Sequence, residues 1–137
     1  MYVFQNTILH IRELNMRAWQ YFIIAILSTM LFGCGNEPDK IVINYCTSLD
    51  TGKLDDAVSY LSTSAKQELE KAGGKPALAA AADLFKSRKG IKEIKISQKE
   101  ITGQTALVKF NYNFNDGSTS ADFFPLVKED GKWKIAK

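Results

Sequence analysis

The first strong pattern in the chain is a mostly apolar run over residues 21–32, interrupted only by Ser28 and Thr29, which is followed by Gly33, Cys34 and a polar stretch. The run is 12 residues long, whereas a helix needs roughly 20 apolar residues to span a bilayer. Its length, with Arg17 just before it, is typical of the apolar part of a secretion signal. The sequence therefore predicts that residues 1–33 are a leader outside the fold.

The end of this run resembles the lipobox of bacterial lipoproteins. Leu31 stands three places before Cys34, and the small Gly33 directly precedes the cysteine, although Phe32 is bulkier than the residue usual there. The resemblance implies a lipoprotein signal peptide, with lipid such as palmitate on Cys34 as a membrane anchor in the bacterial cell envelope. Gly35 after the cysteine implies export to the outer membrane, where the cell has one.

The boundaries of the leader leave two alternatives open. Met16 and Arg17 would make an ordinary signal start, so residues 1–15 read as a misassigned start or a dispensable extension. The apolar run could instead be a buried core helix with a chance cysteine. Under the lipoprotein interpretation, residues 34–38 are a tether of at most about 17 Å, and residues 39–137 form a single domain beside the membrane.

Between the tether and Gly90, apolar residues recur at helical spacing, which predicts four helices. The first begins at Asp39 as N-cap and ends at Gly52 in the C′ position. New caps lie at residues 62–64, and Pro76 fits the first turn of the last helix. The residues expected to face inward are Val42, Tyr45, Cys46, Leu49, Leu54, Ala57, Val58, Leu61, Ala65, Leu69, Leu78, Ala81, Ala82 and Phe85.

After Gly90 the period changes to two, which predicts strands. Residues 91–101 form the first, Gly103 marks a turn, and alternation resumes at residues 106–114. Asp116 and Gly117 favour a two-residue hairpin loop. The expected partners are then Phe114 with Thr119, Tyr112 with Ala121, Phe110 with Phe123, and Val108 with Pro125.

The last hairpin turns at residues 129–131. A bulge at Gly131 pairs Lys128 with Lys132 and brings Trp133 to the apolar face, so we prefer it to a two-residue loop. Pro125 cannot donate a ladder hydrogen bond and should point its nitrogen away from a partner strand or mark a bulge. Three apolar residues remain on the opposite face and could form a homodimer seam or a patch against the tether: Leu107, Phe124 and Leu126.

Helices followed by four antiparallel strands indicate an α+β fold. The chain resembles the nuclear-transport-factor-2-like superfamily, and within it a group of small bacterial lipoproteins of unknown function. Residues 43–57, 106–110 and 124–135 carry the resemblance. It implies N-terminal helices packed on a curved four-stranded antiparallel sheet, shaped as a cone with a pocket at its open end.

Charge and histidine content exclude several function classes. The chain has 18 Lys and Arg and 15 Asp and Glu; without Arg12, Arg17 and Glu13 of the leader, 16 and 14 remain, a net charge of +2. This balance does not indicate nucleic-acid binding. The single histidine, His10, lies in the leader, so histidine-dependent catalytic triads and zinc sites are not expected. We predict no cofactor, no metal, and a buried Cys46 without a disulfide partner.

Three hypotheses for function follow. The first is a non-enzymatic envelope lipoprotein that binds a small apolar ligand, a peptide or an envelope protein. For each expected pocket residue the favoured alternative is ordinary core packing. The tyrosine hydroxyls decide between the two, because a buried hydroxyl needs a partner or a ligand. The expected pocket residues are Tyr45, Tyr60, Phe85, Phe110, Tyr112, Phe123 and Trp133.

The second hypothesis is an enzyme similar to the superfamily's isomerases and dehydratases. This chemistry needs a carboxylate base in an apolar pocket and a hydrogen-bond donor for an enolate. Asp50, Asp83 and Asp122 are the candidate bases, with Tyr45 or Tyr112 as donor, but no spacing places a pair, and Asp122 falls on the predicted polar face. The third hypothesis is a dimer or an accessory part of an envelope assembly.

Overall fold

The computed structural model of the protein describes residues 37–136. The predicted leader, Cys34 and most of the predicted tether lie outside these residues. Helices come first and strands second, as expected. The elements are α1 (Pro38–Asp50), α2 (Leu54–Ser59), α3 (Thr63–Lys71), α4 (Lys75–Ser87), β1 (Ile91–Thr102), β2 (Thr105–Phe114), β3 (Thr119–Glu129) and β4 (Lys132–Ile135).

The four strands form one antiparallel sheet in the order β1-β2-β3-β4. The helices cover one face of it, and the core lies between these two layers. Val42 and Cys46 of α1 and Val108 and Phe110 of β2 belong to the same buried cluster and are at most 1% exposed. The predicted α+β architecture, N-terminal helices on a four-stranded antiparallel sheet, is confirmed.

Helix α1 begins at Pro38, one residue before the expected start. Glu37 is the N-cap residue, and the fixed φ of Pro38 suits the first turn. Asp39 is therefore not the N-cap. Its carboxylate accepts a hydrogen bond from Lys99 Nζ at 3.1 Å, and that of Glu37 accepts from the same ammonium at 2.9 Å. These contacts hold the start of α1 against β1.

The corner between α1 and β1 depends on Asp50 and Gly90. Asp50 Oδ1 accepts a hydrogen bond from the backbone N–H of Ile91 at 3.1 Å. Gly90 has a φ of +82°, and a Cβ placed there would lie 3.3 Å from Asp50 Oδ1. A glycine tolerates both the left-handed backbone and this close carboxylate, so it fixes where the sheet begins.

The short helices connect to the end of the sheet. Ser62 Oγ accepts from the N–H of Ala65 at 3.1 Å, which confirms a helix cap in the predicted segment. Residues 60–62 run parallel to β4: Ile135 N–H donates to Tyr60 O at 2.9 Å, and Ser62 N–H donates to Ile135 O at 2.8 Å. The helical layer and the last strand are thereby joined through their backbones.

Strand β3 is shifted by one residue from the predicted register. Phe110 lies opposite Asp122, and Val108 lies opposite Phe124. The loop has three residues, 115–117, because Phe114 N–H donates to Ser118 O at 2.9 Å and Gly117 adopts a φ of +86°. The expected two-residue loop and its strand pairs are therefore wrong.

The predicted strand pairing of the last hairpin is also wrong by one residue, in the direction opposite to the error between β2 and β3. Glu129 pairs with Lys132, and Lys128 with Trp133. Asp130 and Gly131 both have positive φ, 50° and 75°, as a two-residue type I′ loop requires. Only β3 was assigned the wrong face by the sequence pattern, because Trp133 of β4 faces the core as predicted.

The observed orientation of β3 changes which apolar residues are exposed on the surface. Leu126 is 1% exposed and Phe124 packs against the core, whereas Phe123 points outward and is 58% exposed. A dimer seam made of Leu107, Phe124 and Leu126 is therefore wrong. Pro125 lies opposite Leu107 of β2, and its carbonyl accepts from Ala136 N–H at 2.8 Å, just after the end of β4; that its nitrogen points away from a partner strand stays a prediction.

Candidate functional site

A cavity of about 310 Å³ lies between the helices and the sheet, bounded by α1, α4, β2 and β3. We call it the inner cavity. Its walls are mainly apolar and aromatic, with a few polar groups among them, which is the usual composition of a small-molecule site. The lining residues are Tyr45, Leu49, Ala81, Leu84, Phe85, Arg88, Tyr112, Phe114, Ser120, Asp122 and Phe124.

Aromatic rings form one wall of the inner cavity. The ring centroid of Phe85 lies 5.2 Å from that of Tyr112 and 6.1 Å from that of Phe114. The guanidinium of Arg88 stacks over the Phe114 ring, with its carbon 4.8 Å from the centroid. Such rings offer a flat apolar surface, and the cation at their edge is held by a cation–π contact.

Tyr112 is tied to the core behind the cavity. Its hydroxyl oxygen lies 3.3 Å from Cys46 Sγ, and both residues are buried. Burial raises the pKa of the Cys46 thiol to about 12, and the nearby charge of Asp122 adds to this. Burial also raises the pKa of Tyr112. Because a thiolate rather than a thiol is the nucleophile, Cys46 is chemically inert at neutral pH.

Tyr45 presents a hydroxyl that has no hydrogen-bond partner within residues 37–136. The residue is only 8% exposed, and its ring meets that of Phe124 edge-on, with centroids 5.5 Å apart. Burial raises its pKa to about 12, with contributions from Cys46 and Asp122. The hydroxyl oxygen is not among the fully buried polar atoms that lack a partner, so it is accessible, and water or a bound molecule can supply its hydrogen bond.

Asp122 is the acidic residue of the inner cavity. It lies opposite Phe110, on the face that carries the core, so its predicted place on the polar face is wrong. Its Oδ1 accepts from the N–H of Phe123 at 2.8 Å. Among residues 37–136, no lysine or arginine forms an ion pair with it, and its charge contributes to the raised pKa values of Tyr45, Cys46 and Tyr112.

A second depression, of about 430 Å³, adjoins the first, and we call it the side cavity. It lies between α3 and the strands β3 and β4. Tyr45 and Phe124 line both cavities. Apart from Glu68 its walls carry no charged side chain: the others are Leu61, Ala65, Leu69, Ala72, Leu78, Phe123, Pro125, Ile135 and Ala136.

The expected pocket residues divide into two groups. Tyr45, Phe85 and Tyr112 line the inner cavity, and Phe123 lines the side cavity. The other three line neither: Phe110 and Trp133 are buried in the core at 1% and 5% exposure, and Tyr60 packs partly buried against it. For these three the ordinary core interpretation is the correct one.

Sequence reasoning missed several residues of the inner cavity. Phe124 was missed as a cavity residue, and Asp122, although named as a candidate base, was placed on the polar face, because β3 was assigned the wrong face; a three-residue loop at 115–117 would have corrected both. Arg88 follows α4 as its C-cap, and Leu84 is an exposed residue one turn earlier, at 67%. Neither carries a sequence signal for a cavity, since each depends on how α4 packs on the sheet.

The other candidate acids lie elsewhere. Asp50 accepts the Ile91 N–H at the α1–β1 corner, and Asp83 forms an exposed ion pair with Lys86 at 3.3 Å. Of the three candidates only Asp122 shares a cavity with Tyr45 and Tyr112. Within residues 37–136, no three His, Cys, Asp or Glu side chains come together as they would around a metal ion. The helices of this same region are too short or too polar to cross a bilayer.

Comparison with solved structures supports the nuclear-transport-factor-2-like fold. A protein from Campylobacter jejuni, provisionally described as an NTF2-like transpeptidase, is 26% identical with a TM-score of 0.63, over 74% of this chain and 98% of that one. A SEC-C motif containing protein from Rhodopseudomonas palustris is 12% identical with a TM-score of 0.54, over 73% and 75%. The second shares the fold alone. The search of curated proteins found no match.

The match to the Campylobacter protein also bears on the limits of the domain. It covers 98% of that protein's crystallised chain, so there the domain folds by itself. In the present chain the buried cluster, from Ile41 to Ile135, is likewise contained within one compact unit. A family model, described as a domain of unknown function (DUF4878), matches residues 32–136, and the chain therefore belongs to that family, with a fold like that of nuclear transport factor 2.

Proposed function

We propose that this protein is a membrane-anchored envelope lipoprotein whose domain binds a small amphipathic molecule in the inner cavity. The observation that carries the proposal is an aromatic cavity lined by Tyr45, whose accessible hydroxyl has no hydrogen-bond partner among residues 37–136. Ligand sites combine apolar walls with a few fixed polar groups. Here Asp122, Ser120 and the hydroxyl of Tyr45 are those groups.

The sequence before the domain supports the anchor. The family match begins at residue 32, so nearly all of the proposed leader precedes it. Three residues, 35–37, separate Cys34 from α1, and they reach at most about 10 Å. Leu49, which lines the inner cavity, lies roughly 16 Å along α1 from Pro38. An anchored domain would thus hold its cavity away from the anchored end of α1.

Metabolic labelling tests the anchor. We expect a palmitate analogue to label the wild-type full chain and to leave the Cys34→Ala variant unlabelled, while Cys46→Ala, which removes the buried cysteine, is labelled as strongly as wild type. The wild type and Cys46→Ala should also remain in the membrane fraction after a high-salt wash. Equal labelling of wild type and Cys34→Ala would contradict the anchor.

Ligand binding is tested on the fragment of residues 36–137 with N-phenyl-1-naphthylamine, a neutral apolar probe that fluoresces when it leaves water. Ala81 lines the inner cavity, and its neighbour Ala80 is exposed. Ala81→Leu should fill part of the cavity and weaken probe binding by about tenfold, whereas Ala80→Leu adds the same atoms to the surface and should leave it unchanged. Absence of saturable binding to wild type, or equal effects of both substitutions, would contradict the proposal.

An isomerase- or dehydratase-like enzyme is the alternative, favoured by the presence of Asp122, Tyr45 and Tyr112 around one cavity. Two features weigh against it. The Asp122 side chain is exposed and so remains hydrated, whereas a carboxylate base of this kind needs an apolar setting. The Tyr112 hydroxyl already has Cys46 as its partner. Deuterium exchange into a small ketone that is abolished by Asp122→Asn would support the enzyme.

The name of the Campylobacter relative raises acyl transfer as a further comparison. Such chemistry needs an activated nucleophile. In this chain Cys46 is a buried, protonated thiol, and the only histidine precedes the domain at position 10. Binding rather than transfer is therefore the function we propose. An envelope protein as partner and a homodimer both remain predictions, which size-exclusion chromatography of the 36–137 fragment can test.

A further inference from the structure

The inner and side cavities share one wall, made by Tyr45 and Phe124. The two rings stand at 90° to each other with centroids 5.5 Å apart. Phe124 is only partly buried and packs at the margin of the core rather than within it. Its ring also packs against that of the buried Phe110, with centroids 5.4 Å apart. The two depressions are therefore adjoining compartments with a side-chain partition.

The two compartments differ in chemistry. The inner cavity contains the unpartnered Tyr45 hydroxyl and the Asp122 carboxylate. The side cavity is lined by aliphatic and aromatic groups, with Glu68 as its one charged side chain. A cavity with a few polar groups that adjoins a more apolar one matches a molecule with a polar head and an apolar chain. The side cavity alone, without a head-group site, would not distinguish one apolar molecule from another.

The charge in the inner cavity indicates the kind of head group. The Asp122 carboxylate has no cationic partner among residues 37–136, and its influence reaches the tyrosine hydroxyls and the thiol behind them. Arg88 lines the cavity too and keeps its charge, but its guanidinium is held over the Phe114 ring. The Asp122 carboxylate, by contrast, accepts only from the N–H of the adjacent Phe123 within the described part of the chain. A head group that donates hydrogen bonds and carries a positive charge would pair with Asp122 and leave Arg88 in place.

We propose that the two cavities form one site for a single-chain amphipathic amine, with its ammonium beside Asp122 and Tyr45 and its alkyl chain passing Phe124 into the side cavity. This inference rests on the proposed function, since it names the ligand class of the same inner cavity. It goes further in assigning a role to the side cavity and in making Phe124 the residue that limits chain length.

The test uses n-alkylammonium ions of four to ten carbons, below their micelle concentrations, titrated calorimetrically into the 36–137 fragment. Alkyl carboxylates of equal length are the controls for the head group. Affinity for the amines should rise by about fourfold for each methylene that becomes buried, and this rise should continue past the length that fills the inner cavity. The carboxylates should bind at least about tenfold more weakly.

Two pairs of variants separate the parts of the site. Asp122→Asn keeps an oxygen for the Phe123 N–H but removes the charge, so amine affinity should fall about tenfold; Asp83→Asn, outside both cavities, should change nothing. Phe124→Trp places a larger ring between the two cavities. It should abolish the gain in affinity of long alkyl chains and leave the affinity of short ones unchanged. Phe124→Leu should increase that gain. Thermal unfolding of each variant verifies that it is folded.

The outcomes also distinguish the inference from the proposed function. If N-phenyl-1-naphthylamine binds the inner cavity but alkylamines show no preference over carboxylates, the head-group assignment is overturned and the binding function stands. If amines bind with an affinity that stops rising at short lengths and is indifferent to residue 124, the shared site is overturned. Absence of binding by either kind of probe would overturn both proposals.

Discussion

The thiol of Cys46 lies 3.3 Å from the hydroxyl of Tyr112, and this contact joins α1 to β2 behind the inner cavity. The two residues are 66 positions apart in the chain. Cys46 is fully buried and Tyr112 is 5% exposed. Both groups are neutral in this setting because burial raises their pKa values, so the contact is a hydrogen bond between uncharged partners and makes the fold sensitive to alkali.

Stability should fall as the pH rises from about 9 towards 12. Cys46 has an ordinary pKa of 9.0 that the fold raises to about 12, and the pKa of Tyr45 rises from 10.0 to about 12. Between these values the unfolded chain releases protons that the folded chain retains, so alkali favours unfolding. For Cys46 the loss should be about 2–3 kcal/mol by pH 11. Urea unfolding at a series of pH values measures it.

Cys46→Ala is the matched control for this pH dependence. It leaves every lysine and tyrosine in place, so the part of the alkaline slope that disappears belongs to the thiol together with its effect on the pKa values of Tyr45 and Tyr112. An unchanged slope in this variant would show that Cys46 does not contribute.

The thiol of Cys46 should not react with a disulfide reagent at pH 8 while the domain is folded. The fragment of residues 36–137 contains this cysteine alone, and it is both buried and protonated. Reaction needs an accessible thiolate. Colour release from an aromatic disulfide reagent should therefore be negligible in buffer and reach one equivalent in concentrated urea. Rapid stoichiometric reaction in buffer would contradict both its burial and its raised pKa.

The face assigned to β3 predicts very different costs for two neighbouring substitutions. Leu126 is 1% exposed, whereas Val127 lies on the other face and is only partly buried. Leu126→Ala should reduce the free energy of unfolding by about 2–5 kcal/mol, because it leaves a cavity in the core. Val127→Ala should cost less than about 1 kcal/mol. Urea unfolding of both variants measures the two losses in free energy of unfolding. A larger loss for Val127→Ala would support the register that the sequence pattern favoured.

Gly90 should tolerate a methyl group less well than Gly52 does. Both have positive φ, +82° and +73°, so alanine is strained at either position by roughly 1–2 kcal/mol. At Gly52 nothing lies within 4 Å of the added Cβ, whereas at Gly90 it would lie 3.3 Å from Asp50 Oδ1. That oxygen is held by the Ile91 N–H, so Gly90→Ala should cost about 1 kcal/mol more. Equal losses in thermal unfolding would mean that Asp50 moves freely.

Local signals were sufficient for the helices and for most turns. Gly52 and Gly90 end α1 and α4 as their positions predicted, Ser62 caps α3, and Pro76 lies in the first turn of α4. These features depend on residues within one helical turn of each other. The order of helices and strands, and hence the α+β class, follows from them.

The register of β3 could not be obtained in this way. Residues 123–127 are Phe, Phe, Pro, Leu and Val, so either alternation places apolar side chains inward, and a one-residue slip exchanges the faces. Each of the two loops that flank β3 is then compatible with either of two loop lengths. Burial of Leu126 and Phe124 against α1 decides between the two, and that contact exists only in the folded molecule.

The sequence by itself determined which segments are helices or strands and that the domain contains no histidine. The tertiary structure alone decided which residues form the two cavities, because Tyr45, Arg88 and Asp122 meet there from three separate elements. Periodicity reports which face of an element is apolar. It does not report how neighbouring elements are placed against each other, and a cavity is the space between them.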